Sequence, residues 1–194
     1  MKKTLLLNIV LIPFIGVAQL QTIFQSKIDS IYEKNKDAVG IIVHVEAPKQ
    51  NISWSYAKGV SDIKTNEVLN HQQPVLIASN TKPYLAASIL RLVEKGQVTI
   101  NHPIKNLLSK KTRQLHEKDG YDLNALTIKN LLSHTSGIQD YVDDAYFELV
   151  NQHPKYKWTK AEQIKRAMEI GSPQKVGEKF SYGDINYLLL AEII

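Results

Sequence analysis

The sequence predicts an α+β fold in which a two-stranded antiparallel hairpin is followed by a mainly helical region. The hairpin is indicated by two β-branched or aromatic segments, Gly40–Val45 and Ile52–Tyr56, which flank a polar turn at 47–51. The helical region is indicated by apolar residues that recur with a helical period after residue 79. Because two strands alone are marginally stable, we expect further strands to complete the sheet.

The helices are predicted in order along the chain. Residues 21–36 place apolar side chains at a period near 3.6, which predicts an amphipathic helix before the hairpin. The clearest helix runs from Ser79 to Lys95 and ends at Gly96, with one apolar face made of Leu85, Ile89, Leu92 and Val93. Later apolar or helical segments are expected at 104–108, 126–132, 161–170 and 186–194.

Pro83 locates the start of the clearest helix. Proline lacks an N–H group and would break a helix interior, but it is tolerated in the first turn. We therefore expect Ser79 to lie at or next to the N-cap of this helix.

Composition excludes several function classes. The 194 residues are 43% hydrophobic and 22% charged, as in soluble globular proteins. The absence of cysteine excludes disulfides, thiolate metal sites and cysteine nucleophiles. The net charge of +5 is spread along the chain, and its densest cluster, Lys110, Lys111 and Arg113, is expected to be a solvated surface turn. We therefore expect no nucleic-acid partner.

The first eighteen residues are typical of an export signal. Lys2 and Lys3 precede an apolar segment at 4–15, and small residues at 16–18 suit a signal peptidase. The apolar run is shorter than the roughly 20 residues that span a bilayer. We expect cleavage after Ala18, a mature domain of residues 19–194 in the periplasm or secreted, and membrane contact only during export.

Ser79 and Lys82 form a Ser-x-x-Lys pattern at the predicted helix start. Residues three apart share a helix face, so the amine can reach the hydroxyl and activate it as a nucleophile. The positive helix end and burial would both favour a neutral amine. The usual motifs of serine-elbow hydrolases, zinc peptidases, phosphate loops and dinucleotide-binding folds are absent from the sequence. Taken by spacing alone, the pattern also fits a capping serine and a surface lysine.

Three segments resemble the penicillin-recognising serine hydrolases, which include class C β-lactamases, D-alanyl-D-alanine peptidases and related esterases. Residues 77–98 resemble the helix that carries their nucleophile, and 126–137 resemble their Leu-Leu-x-His-Thr-Ser-Gly segment. Residues 180–190 are similar to their Tyr-x-Asn element and the helix after it. The resemblance implies a β-lactamase-like fold, with an antiparallel sheet flanked by helices and an all-helical region.

The resemblance also implies roles for particular residues. Ser79 would be the acylated nucleophile, Lys82 its activating base, and Tyr182 the group that passes the proton to the leaving group. His134 would not be catalytic; a histidine in such a segment more often holds a turn by hydrogen bonds. The mechanism would use side chains alone, without metal or organic cofactor.

This sequence departs from the family at Asp184, which stands where the Tyr-x-Asn element has asparagine. An ionised carboxylate only accepts hydrogen bonds, whereas an amide also donates to a substrate carbonyl. A carboxylate near Lys82 would also favour the charged ammonium. We assign Asp184 a substrate-binding role and expect it to shift preference away from acylamino substrates and toward esters or another class of substrate.

A second departure concerns the family's third element, a Lys/His-Thr-Gly strand that supplies an oxyanion-hole N–H and is not found before Ile194. We therefore expect the N-terminal part of a β-lactamase-like domain, truncated before the C-terminal strands. The predicted function is hydrolysis of a β-lactam, a D-Ala peptide or an ester, with cell-wall peptides among the candidate partners. The alternatives are a non-catalytic penicillin-binding or peptidoglycan-sensing protein and an inactive fragment.

Overall fold

The computed structural model describes residues 12–35 and 37–194. The chain divides into two compact units, Met1–Leu76 and Ile77–Ile194. Below, these are called the sheet unit and the helical unit.

The sheet unit contains one α-helix and three strands among its described residues. Helix α1 covers Ile12–Lys34, and the strands are β1 (Gly40–Ala47), β2 (Ile52–Asp62) and β3 (Glu67–Val68). The sheet is antiparallel with the order β1-β2-β3. The predicted hairpin is therefore confirmed, and the further strand that we expected is the two-residue β3.

Aromatic side chains connect α1 to β2. Residues two apart on a strand lie on the same face, and Trp54 and Tyr56 stack with ring centroids 5.7 Å apart. Phe24 of α1 packs on Trp54 at 5.5 Å, and the Tyr56 hydroxyl donates a 2.7 Å hydrogen bond to Asp29. These contacts give the helix a fixed place on the strand.

Residues 1–11 of the predicted leader lie outside the described residues, and its remaining residues 12–18 form the first turns of α1. In the part of the chain that is described, no helix is long and apolar enough to cross a membrane. The export signal stays a prediction.

The helical unit contains six α-helices among its described residues. They are α2 (Lys82–Glu94), α3 (Lys110–Lys118), α4 (Ile128–Leu132), α5 (Asp144–Gln152), α6 (Lys160–Ile170) and α7 (Asp184–Ile193). Helices α2, α4, α6 and α7 correspond to predicted segments.

Helix α3 corrects one expectation. The basic cluster at 110–113 is not a surface turn but the first turn of α3, which Ser109 caps by accepting a hydrogen bond from the Thr112 N–H group. Only Thr112 and His116 of this helix are buried. Because the sequence of α3 is nearly all polar, it has no apolar stripe from which a helix could be predicted.

The core of the helical unit is formed by helix faces that point inward. Ile89 of α2 is fully buried, as its place on the predicted apolar face requires. It belongs to one hydrophobic cluster with buried residues of α4, α6 and α7: Ile128, Leu131, Ile164, Ala167, Ile185, Leu189 and Leu190. This cluster fixes α2 and α7, the two helices that carry predicted site residues.

A buried carboxylate ties three helices together. Glu192 of α7 accepts hydrogen bonds from the Ser109 N–H group at 2.7 Å and the Thr112 hydroxyl at 2.8 Å, both at the start of α3. Lys160 of α6 forms an ion pair with it at 2.7 Å. The contact therefore holds the ends of α3, α6 and α7 together around one charge.

Candidate active site

Ser79 lies in a 3-10 turn, Ala78–Thr81, that leads directly into α2. The α-helix thus begins three residues later than predicted, and Pro83 falls in its first turn, as expected. Ala78 has a positive φ of 43°, a left-handed conformation that costs a non-glycine residue free energy. Such strain directly before a proposed nucleophile is typical of functional sites.

Lys82 connects Ser79 to the other predicted site residues. Its Nζ atom donates a 3.1 Å hydrogen bond to the Ser79 hydroxyl and forms an ion pair with Asp184. The Lys82 side chain is only 13% exposed. The amine also lies 4.8 Å from the ring centroid of Tyr182 and 5.8 Å from that of Tyr187, within the range of cation–π attraction.

These neighbours determine the charge of Lys82. Burial acts to lower its pKa, but the hydrogen bonds with Asp184 and Tyr182 outweigh burial and raise the pKa above its ordinary value. The helix end and burial therefore do not make the Lys82 amine neutral in this structure, contrary to our expectation from the sequence. Asp184, which stands in place of the family's asparagine, favours the charged ammonium instead.

Tyr182 lies in the extended segment just before α7, with 51% of its surface exposed. One face of its ring stacks on His134, with centroids 4.6 Å apart and planes inclined by 29°. Since Lys82 also lies over this ring, the structure brings together all four predicted residues: Ser79, Lys82, Tyr182 and Asp184.

His134 has a structural place beside this group. Its Nδ1 atom accepts a 3.2 Å hydrogen bond from the Gly183 N–H group, and its ring is buried. No hydrogen bond joins His134 to Ser79 among the described residues. Asp143, which follows His134 by nine residues, instead caps α5 and pairs with Arg166. A Ser-His-Asp triad is therefore not formed.

Asp140 has a structural role beside the site that the sequence did not reveal. Its carboxylate accepts hydrogen bonds from the N–H groups of Ile185, at 3.1 Å, and Tyr141, at 2.9 Å. It thereby caps α7, whose own N-cap residue, Gly183, has no side chain to do so. A side chain on Gly183 would press on Asp140, with a Cβ atom only 3.3 Å from its Cβ and Cγ. No sequence pattern joins positions so far apart.

A cavity of about 340 Å³ opens beside Ser79. Ser79, Lys82 and Asp184 supply its polar groups, and its apolar wall includes Leu85, Tyr141, Tyr187, Leu188 and Ala191. In the described part of the chain, no three histidine or acidic side chains cluster closely enough to hold a metal ion. The arrangement suits nucleophilic attack by a hydroxyl on a small acyl group bearing an apolar substituent.

A serine hydroxyl that is hydrogen-bonded to a lysine at the start of a core helix is an arrangement that nucleophilic catalysis can use. Sequence comparison agrees: the family model described as Beta-lactamase matches residues 28–194. The chain belongs to this family, and the resemblance to the penicillin-recognising serine hydrolases is confirmed.

Similar proteins include hydrolases. Esterase EstB of Burkholderia gladioli is 28% identical over 116 residues, which cover 58% of this chain and 29% of the esterase. The D-amino acid amidase of Ochrobactrum anthropi SV3 has a similar fold, with a TM-score of 0.64 at 19% identity, over 87% of this chain and 44% of the amidase.

A penicillin-binding protein from Bacillus halodurans is also similar in fold, with a TM-score of 0.63 at 22% identity, over 86% of this chain and 47% of that protein. The chain therefore spans less than half the length of each of these three relatives. The β-lactamase-like fold is confirmed.

Proposed function

We propose that the protein is a serine hydrolase that forms an acyl-enzyme at Ser79. The observation that carries the proposal is the 3.1 Å hydrogen bond from Lys82 Nζ to the Ser79 hydroxyl. With Lys82 deprotonated, the hydroxyl proton passes to its amine as Oγ bonds to the substrate carbonyl carbon. Tyr182, beside the amine, passes its proton to the leaving group as the bond between that group and the carbon breaks, and it regains a proton from the Lys82 ammonium. Water then hydrolyses the acyl-enzyme and restores Ser79.

Asp184 makes the activation of Ser79 dependent on pH. The base form of Lys82 is neutral, whereas the ion pair with Asp184 favours the ammonium and raises the pKa of Lys82. The rate therefore increases as pH rises through that pKa. A group whose pKa is raised stays protonated to higher pH, so less of the base form exists at neutral pH.

The small amount of neutral Lys82 at neutral pH favours esters over amides and β-lactams as substrates. An ester has a better leaving group than an amide and needs less activation of the nucleophile. The Asp184 carboxylate cannot donate a hydrogen bond to an acylamino carbonyl as an amide would. The esterase among the similar proteins supports the same substrate class.

The nucleophile is tested with Ser79→Ala in the full-length protein. We expect p-nitrophenyl ester turnover to fall by at least about 10³-fold, and covalent labelling by a fluorophosphonate probe to disappear. Ser88→Ala is the matched control, because Ser88 lies on the same helix and its hydroxyl donates only to the Tyr84 carbonyl among the described residues. Labelling that persists in Ser79→Ala, or disappears equally in Ser88→Ala, contradicts the proposal.

The role of Asp184 is tested with Asp184→Asn. Removal of the carboxylate lowers the pKa of Lys82, so we expect the pH–rate profile for ester hydrolysis to move to lower pH. The neutral amide should also raise penicillin turnover relative to ester turnover. The measurement is kcat/KM for both substrates from about pH 6 to about pH 11, a window that includes the ordinary lysine pKa of about 10.4. An unchanged profile and an unchanged ratio would refute this role.

The second candidate is a non-catalytic penicillin-binding protein on the same scaffold, and the Lys82–Asp184 ion pair is the observation that favours it. An amine held as ammonium binds an anionic or carbonyl ligand without activating Ser79. A fluorescent penicillin separates the two candidates. Reversible binding that Ser79→Ala leaves intact supports the binding protein, and covalent labelling that requires Ser79 supports the hydrolase.

A further inference from the structure

His134 holds the segment that carries Tyr182 from both sides. Its carbonyl oxygen accepts a 2.8 Å hydrogen bond from the Ser181 N–H group, and its Nδ1 atom accepts one of 3.2 Å from Gly183. Tyr182 lies between these two residues, and its ring stacks on the same imidazole at 4.6 Å. The backbone and the ring of Tyr182 are thus fixed by one residue.

The hydrogen bonds at Nδ1 define the state of the imidazole. Besides the Gly183 N–H group, the side-chain amide of Asn186 donates to Nδ1 at 3.2 Å, and the same amide donates to the Gly183 carbonyl. Asn186 is fully buried, so these bonds are shielded from water. Because Nδ1 accepts from both groups, the neutral ring carries its proton on Nε2. A proton on Nδ1 would face two donors.

The surrounding charges act on this ring from three elements. Burial lowers the pKa of His134 most, and the Lys82 ammonium of α2 lowers it further. Asp140, which precedes α5, and Asp184 of α7 oppose them, and the pKa remains below its ordinary value. The ring is therefore neutral at neutral pH, and protonation at acidic pH breaks the hydrogen bond from Gly183.

The backbone of His134 is strained in this position. Its φ of 55° lies in the left-handed region, which is uncommon for non-glycine residues, although asparagine, aspartate and histidine are enriched there. Such a conformation persists only where the surroundings determine it, and it clusters at functional sites. Here the strain points the imidazole at the segment before α7 instead of continuing α4, which ends at Leu132.

We propose that His134 is the positioning residue for Tyr182, setting its hydroxyl beside Lys82 through the ring stack and through Gly183. Half of Tyr182 is exposed, and the Lys82 amine lies over its ring. The stack and the two flanking hydrogen bonds therefore fix the side chain. The inference rests on the proposed function, in which Tyr182 passes the proton to the leaving group.

Two substitutions separate the parts of this contact. His134→Asn places an amide oxygen near the position of Nδ1 and tolerates a positive φ, but it removes the stacked ring. His134→Phe keeps a ring beneath Tyr182 but removes the acceptor for Gly183 and Asn186. The matched control is His116→Asn, because His116 is also a buried histidine that packs on a tyrosine, Tyr121, and among the described residues no hydrogen bond or ring contact joins it to a site residue.

The kinetic readout is ester hydrolysis by the full-length protein. We expect both His134 variants to lower kcat by about tenfold to a hundredfold, the size of a small misplacement of a reacting group, while KM changes by less than about threefold. His116→Asn should lower stability and leave kcat unchanged. Wild-type kcat in both His134 variants, or an equal loss in the control, overturns the proposal.

A second readout does not depend on activity. In the wild type, nuclear magnetic resonance should show that Nδ1 of His134 carries no proton at neutral pH. Acid titration of this ring should shift the Gly183 amide and the Tyr182 ring signals together. In His134→Asn the shift should be absent. Gly183 and Tyr182 signals that do not shift during the titration refute the positioning role, even if Ser79 proves to be the nucleophile. If Ser79 labelling fails while the signals respond, the proposed function fails alone.

Discussion

The sheet unit and the helical unit differ in where their stability comes from. Among the described residues, Ile52 is the only buried hydrophobic residue of the sheet unit, whereas the buried cluster lies in the helical unit. The sheet unit is held instead by strand pairing and by half-buried aromatic contacts between α1 and β2. All four predicted site residues lie in the helical unit.

This difference shows what the site requires. Ser79 and Lys82 belong to the start of α2, and Tyr182 and Asp184 to the start of α7, so the two helices must keep a fixed relation. A close-packed core supplies such a relation, because it yields little to displacement. A hairpin and its exposed faces do not need that rigidity.

The largest effect is expected from Ile89→Ala, which removes a fully buried side chain between α2 and the rest of the core. Its cavity should lower the free energy of unfolding by about 4 kcal/mol, measured by urea denaturation. Val68→Ala in β3, at a residue 78% exposed, is the control and should cost less than about 0.5 kcal/mol. Similar losses in the two variants would break the contrast between the units.

An intermediate effect is expected from Glu192→Gln, which keeps the shape of the side chain and removes its charge. Three helices depend on that charge, so we expect a loss of about 2 kcal/mol, as for hydrogen bonds to ionised groups. A loss in Asp29→Asn of the sheet unit that equals or exceeds it would show that polar contacts matter equally in both units.

Glu192 also predicts a dependence on pH. Burial acts to raise its pKa, but the hydrogen bonds from Lys160, Ser109 and Thr112 outweigh it and lower the pKa from 4.5 to about 2. A lowered pKa contributes stability that is present above the ordinary value and is lost as pH falls through the folded value. The difference in stability between wild type and Glu192→Gln should therefore shrink between pH 4.5 and about pH 2. A constant difference across this window would disprove the linkage.

The smallest effect is expected from Trp54→Ala in the sheet unit. This change removes the ring between Phe24 and Tyr56 and should cost about 1 kcal/mol, as for a partly exposed aromatic pair. Ester turnover should stay within about twofold of wild type. A fall in turnover as large as that caused by the His134 substitutions would show that the sheet unit also shapes the site.

Local patterns were enough to predict much of the fold. The hairpin and helix α2 were predictable because alternation, helical period and Pro83 each act within a few residues. Helix α3 was missed because its residues are nearly all polar, and α5 also passed unnoticed. Asp140 was not identified as the cap of α7, because it lies 45 positions from Ile185, the residue whose N–H group donates a hydrogen bond to it.

The sequence by itself determined the family, since Ser79, Lys82 and Tyr182 stand in segments whose residues and order are typical of it, and it predicted which groups react. It also raised the question of Asp184, by placing a carboxylate where an amide was expected. Only the tertiary structure decided the charge of Lys82 and the place of His134. Both depend on distances between α2, α4 and α7, and such distances follow from packing in three dimensions, where a single ion pair can outweigh the effect of burial.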